Sequence, residues 1–138
     1  MKIVLIDDDP QVLSVLSRLI QRRGHQVLTY DSPLACPIYT STHCPCVPEA
    51  ICPDIIISDI DMPKVNGMKF IERVFQKGCK CKQLALISGQ GVDYTNSNRM
   101  TKMGATIFTK PLAFDAFVSW LIRAEQTTSE ESRQKTDN

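Results

Sequence analysis

The segment Asp54-Ile55-Ile56-Ile57-Ser58-Asp59 sets the hardest constraint on this chain of 138 residues. Successive isoleucines put apolar, β-branched side chains on both sides of an extended strand. Such a strand belongs in a sheet covered on both faces. Lys2 to Asp7 is a second run of this kind, and Gln26 to Tyr30, Gln83 to Ser88 and Ala105 to Thr109 also read as strands. Between them lie helical signals. Asp9-Pro10 is a helix N-cap followed by a proline at the first helical position, and Val12, Leu13, Val15, Leu16, Leu19 and Ile20 follow at helical spacing up to Gly24. Two further amphipathic helices carry Met68, Phe70, Ile71, Val74 and Phe75, and Phe114, Phe117, Val118, Leu121 and Ile122. Five β segments alternating with helical connections predict an α/β fold with right-handed crossovers and a doubly wound parallel sheet, helices on both faces.

Two stretches break the regularity. Asp31 to Pro53 holds Pro33, Pro37, Pro45, Pro48 and Pro53, so the second helix should be short or broken. Asp93 to Met103 is polar, with Asn96, Ser97 and Asn98 in its middle, and should be a weakly held helix. From about Glu125 the chain is polar and charged. The expected organisation is one domain over 1–124 and a disordered tail over 125–138.

Sixteen basic and fifteen acidic residues nearly cancel, which leaves no global field for direct nucleic-acid or anionic-membrane binding. No apolar run approaches the ~20 residues of a membrane span, and the N-terminus runs into acids too soon for a signal peptide. A cytoplasmic location is expected.

In a doubly wound sheet ligands bind beyond the carboxyl ends of the strands. Asp7, Asp8, Asp59, Ser88 and Lys110 all fall there. Asp9 is accounted for by its helix cap, and Asp59 alone could be an ordinary loop acid. Carboxylates crowded together, however, repel and raise one another's pKa unless a cation sits among them. A hard divalent ion such as Mg²⁺ suits all-oxygen ligands. With Lys110 to pair with a phosphoryl oxygen and Ser88 to donate to one, the set has the parts of a phosphoryl-transfer site.

On Asp7-Asp8, the Ser58-Asp59-Ile60-Asp61-Met62-Pro63 loop with Gly67, Leu86-Ile87-Ser88-Gly89 and Lys110-Pro111, the chain resembles a response-regulator receiver domain from Lys2 to about Arg123. The resemblance implies a flavodoxin-like five-stranded sheet of order 2-1-3-4-5. It implies that Asp59 accepts a phosphoryl group from a histidine kinase or phosphotransfer protein. Mg²⁺, or Mn²⁺ in its place, would be held by Asp7, Asp8, Asp59 and the backbone carbonyl of Asp61. Ser88 and Lys110 would bind the phosphoryl group, and the Lys110-Pro111 bond would be cis. The chain would then be a chemotaxis-regulator-like, stand-alone phosphoprotein with no further enzymatic activity, monomeric or weakly dimeric, acting on a separate output protein. Asp61 is also expected to influence how water reaches the phosphoaspartate. One departure from the family is Ile107, which stands where a switch aromatic is usual; Phe108, one residue on, should face the other side of the sheet. The other is the Cys/Pro-rich segment in place of a regular second helix.

That segment raises a separate expectation. Cys44, Cys46, Cys52, Cys79 and Cys81 could converge at the amino edge of the sheet, opposite the acids, as a thiolate site for Zn²⁺ or an iron–sulfur cluster. Unbridged loop thiols, with His43 a solvated neighbour, are the competing reading. Two other functions compete with signalling. One is a degenerate receiver or thiol- or metal-tuned binding module. The other is an aspartyl-phosphate phosphatase, on the strength of Asp59-Ile60-Asp61.

Overall fold

The structure, a computed structural model, describes residues 1–41 and 52–136. The strands β1 (Lys2–Ile6), β2 (Gln26–Tyr30), β3 (Ile55–Asp59), β4 (Gln83–Ser88) and β5 (Ala105–Thr109) form one parallel sheet of order β2-β1-β3-β4-β5. The helices are α1 (Pro10–Arg22), α2 (Pro37–Thr40), α3 (Gly67–Gln76), α4 (Tyr94–Lys102) and α5 (Phe114–Thr136).

Strand alternation sorts the side chains into two cores. Ile3, Leu5, Ile55, Ile57, Ala85 and Ile87 meet Leu16 and Ile20 of α1 and Phe117, Trp120 and Leu121 of α5. Val4, Ile6, Ile56, Leu84 and Leu86 face the other way, onto Ile38, Phe70, Ile71, Val74 and Met100 of α2, α3 and α4. The three isoleucines of β3 thus divide between both cores and are fully buried, as their lack of a polar side requires. Ile107 packs on the α4 side. Phe108 lies on the α5 side, where its ring is 5.7 Å from Phe117 and 5.8 Å from Trp120.

Side-chain caps start α1, α3 and α4. Asp9 accepts from Gln11 N–H at 2.9 Å with Pro10 at the first turn, Asn66 from Lys69 N–H at 2.8 Å, and Asp93 from Asn96 N–H at 2.8 Å. The proline-rich region yields a 3₁₀ turn (Pro33–Ala35) and then α2, four residues long. Carbonyls in and just after α2 meet cations at the end of α3. The Lys77 ammonium donates to Ile38 O, Tyr39 O and Ser41 O, and Arg73 Nε donates to Tyr39 O at 2.8 Å while its guanidinium lies over the Tyr39 ring.

Over the stretch expected to be a disordered tail from 125 onward, the described residues continue α5 to Thr136. Glu125 is tied to Arg23 by two hydrogen bonds of 2.7 and 2.8 Å and to His25 Nε2 at 2.8 Å. One turn and a half further on, Glu131 pairs with Lys82 at 2.6 Å. Both acids thus pair with residues distant in sequence. Among the described residues no helix is long and apolar enough to cross a membrane.

Candidate phosphoryl-transfer site

Register brings the acids together. Ile6 pairs with Ser58 and Asp59 with Ile87, so Asp7, one step past β1, stands beside Asp59 at the end of β3. Ligand oxygens of Asp7, Asp8 and Asp59 all lie within 4.8 Å of one another. Asp7 and Asp59 are only 1% and 2% exposed, whereas Asp8 is open to solvent. Lys110 follows β5, its backbone N–H donating to Ser88 O at 2.7 Å. Its ammonium reaches Asp59 Oδ1 at 3.3 Å and Asp7 Oδ2 at 4.0 Å. These are ion-pair distances without hydrogen-bond alignment, and both oxygens are buried with no hydrogen-bond partner. The Lys110-Pro111 bond is cis.

The electrostatics follow from this crowding. Burial pushes the Asp7 carboxyl up to about 6; a hydrogen bond from Asp9 N–H opposes the rise and the charge of Asp59 adds to it. Burial likewise raises Asp59, opposed by the Lys110 charge and by the backbone N–H of Asp61. Lys110 loses hydration, which disfavours its proton, but the charges of Asp59 and Asp7 outweigh that and hold the proton more firmly than in water. One ammonium therefore faces two buried carboxylates that each retain an unpartnered oxygen. Oxygen-only donors, a deficit of positive charge and orphaned lone pairs are what a hard divalent cation satisfies. The residues present fit Mg²⁺.

The remaining residues are placed as follows. Ser88 is buried at the end of β4, and its Oγ accepts from Gln90 N–H at 3.3 Å. Asp61 is exposed in the loop after β3. Gly67 of the sequence motif is required sterically. A Cβ there would sit 2.2 Å from the carbonyl oxygen of Asp59, so α3 can start against the loop after β3 only with glycine at that position. The contact that sequence reasoning missed is between Gly89 N–H and Asp61 Oδ2, at 2.9 Å. Both residues lie in loops, where no periodicity gives a side-chain direction, and the one sequence hint was the glycine that follows Ser88.

At the amino edge, Cys79 and Cys81 precede β4, and Cys52 lies before β3. Cys81 is close enough to Cys79 and Cys52 to feel both, and burial raises its thiol strongly. Its Sγ donates to Gln83 O at 3.1 Å. Among the described residues the acids of the carboxyl edge are the one set of three or more His, Cys, Asp or Glu ligand atoms gathered within 4.8 Å; the thiols of Cys52, Cys79 and Cys81 do not gather so closely. Cys44 and Cys46, with His43, lie outside the described residues.

A five-stranded doubly wound sheet with an acidic pocket and a lysine at its carboxyl edge defines a class of signalling module, and the family comparison agrees. The chain belongs to the response regulator receiver domain family, whose sequence pattern it matches over residues 3–121. It is 28% identical over 127 residues to the C4-dicarboxylate transport transcriptional regulatory protein DctD of Pseudomonas aeruginosa. That alignment takes in 89% of this chain and 25% of DctD, so the chain spans about a quarter of the relative's length. Among solved structures it is similar to a response regulator receiver domain protein from Clostridium thermocellum, with a TM-score of 0.72, 25% identity, and coverage of 93% of this chain and 96% of that one. The Vibrio cholerae chemotaxis protein CheY4 shares the fold at a TM-score of 0.68 and 23% identity, covering 89% and 97% of the two chains.

Proposed function

We propose that the chain accepts a phosphoryl group on Asp59 and signals through altered binding to a partner protein. The observation that carries this reading is the buried Asp59 carboxylate, whose Oδ1 has no hydrogen-bond partner and faces the Lys110 ammonium at 3.3 Å. A carboxylate stripped of water but not of its negative charge is a competent nucleophile. In the transfer, an Asp59 oxygen attacks phosphorus and the P–N bond to the donor imidazole breaks. The electron pair stays on nitrogen, which takes up a proton, and a mixed acyl phosphate remains on Asp59. Lys110 sits where it can neutralise a phosphoryl oxygen, and Ser88 can turn its hydroxyl toward another.

Asp7, Asp8 and Asp59, with the backbone carbonyl of Asp61, would hold Mg²⁺, and Mn²⁺ could replace it. Bound there, the ion supplies charge neutralisation for the transferring group. The donor would be a histidine kinase or a phosphotransfer protein, and the output partner is best sought on the α4–β5–α5 side. There α4 carries a single buried side chain, Met100, and can shift at small cost.

Incubation with a small phosphodonor and Mg²⁺, followed by mapping of the acyl phosphate, tests the reading. Wild type should be labelled on Asp59, and Asp59→Asn should take up none. Undiminished labelling of Asp59→Asn would remove Asp59 as the nucleophile.

A further inference from the structure

The hydrogen bond from Gly89 N–H to Asp61 Oδ2 joins the loop after β3 to the loop after β4. A backbone-carbonyl role for Asp61 does not require it. Gly89 directly follows Ser88 at the strand end, and a Cβ placed on it would lie 3.3 Å from Asp61 Oδ2 and 4.0 Å from Lys110 Cδ. The Asp61 carboxylate, the Gly89 amide and the lysine stem therefore meet on the open side of the pocket that holds Asp59. Asp61 is also among the charges that hold the proton on Lys110. A free peptide N–H at a strand end, next to a serine hydroxyl and an ammonium, is an arrangement that binds oxyanions. Here an anion supplied by the chain itself occupies the amide.

We infer that the Asp61 carboxylate is a built-in competitor of the phosphoryl group: it holds the Gly89 amide in the unphosphorylated protein and is displaced from it when Asp59 is phosphorylated. This rests on the reading of Asp59 as phosphoacceptor. Two effects then oppose phosphoryl binding, the occupied amide and the like charge of Asp61. They are separable. Asp61→Asn keeps a side-chain oxygen for Gly89 N–H and removes the charge, whereas Asp61→Ala removes both. Neither alters the backbone carbonyl of residue 61, and the side chain is exposed, so both variants should fold.

The probe is beryllium fluoride with Mg²⁺, which coordinates a carboxylate oxygen and presents fluorines where a phosphoryl group presents oxygens. Its affinity is measured by calorimetry, and the Gly89 amide is followed by ¹⁵N NMR. Asp61→Ala should bind about fivefold tighter than wild type, the scale of one charge-assisted hydrogen bond at an exposed position. Asp61→Asn should fall between them. The Gly89 resonance should move on ligand addition in wild type and should already be displaced in unliganded Asp61→Ala. Equal or weaker binding by Asp61→Ala would overturn the inference. Equal tightening in both variants would give the whole effect to charge and overturn the contest for the amide. If wild type neither binds beryllium fluoride nor takes phosphate from a small donor, the phosphoacceptor reading fails first, a different result from either of these.

Discussion

At the scale of single residues, the site is assembled at a cost to stability. Asp7 is buried, close to Asp59, and shares one lysine with it at 4.0 Å. Asp7→Asn should therefore stabilise the metal-free protein, by about 1 kcal/mol, while weakening Mg²⁺ affinity by about tenfold or more. Thermal unfolding in chelator and in Mg²⁺ measures both, and a variant less stable than wild type in chelator would contradict the reading. Gly67→Ala should do the reverse of help. Its Cβ would meet the Asp59 carbonyl oxygen at 2.2 Å, and forcing α3 away should cost about 3 kcal/mol, measurable by denaturant unfolding. Asp7, Asp59 and Lys110 were legible in the sequence because each ends an apolar run, and parallel register puts such ends side by side. The Asp61–Gly89 contact was not, because loop residues have no periodicity from which a direction can be read.

At the scale of elements, composition and context pull apart. The residues of α4 favour turns over helix, yet Asp93 caps it, Arg99 reaches Glu72 of α3 at 2.9 Å, and Met100 is buried. Asp93→Ala should remove about 1 kcal/mol of local stability and speed hydrogen exchange in α4 before it affects the sheet. The proline count correctly announced a truncated α2, but nothing local announced its partner. Lys77 follows the end of α3 and gathers the carbonyls around α2 from more than thirty residues away in sequence. Lys77→Met should raise hydrogen exchange across Ile38–Ser41 and leave Mg²⁺ binding unchanged. The contacts of the α5 acids are hidden from local sequence for the same reason, since Arg23, His25 and Lys82 are distant in sequence from Glu125 and Glu131.

At the scale of the whole molecule, the two edges of the sheet respond to pH in opposite senses. At the carboxyl edge the folded Asp7 titrates near 6 against an ordinary 3.8. The folded state binds its proton more tightly than the unfolded one, so this group's contribution declines as pH rises from about 4 to 6. Mg²⁺ competes with that proton, and metal-induced stabilisation should grow over the same interval, as melting curves with and without Mg²⁺ would show. At the amino edge Glu125 is lowered to about 2, chiefly by its hydrogen bonds from Arg23. Its stabilisation is complete above its ordinary pKa and is lost as pH falls toward 2. Between the edges lies the chain's single tryptophan, in van der Waals reach of Phe108 and Phe117 beneath β5 and almost closed to water. Its indole emission is thus a native optical gauge of how α5 sits on the last strand. A wavelength shift on adding a phosphodonor would report motion transmitted through the sheet to its far face.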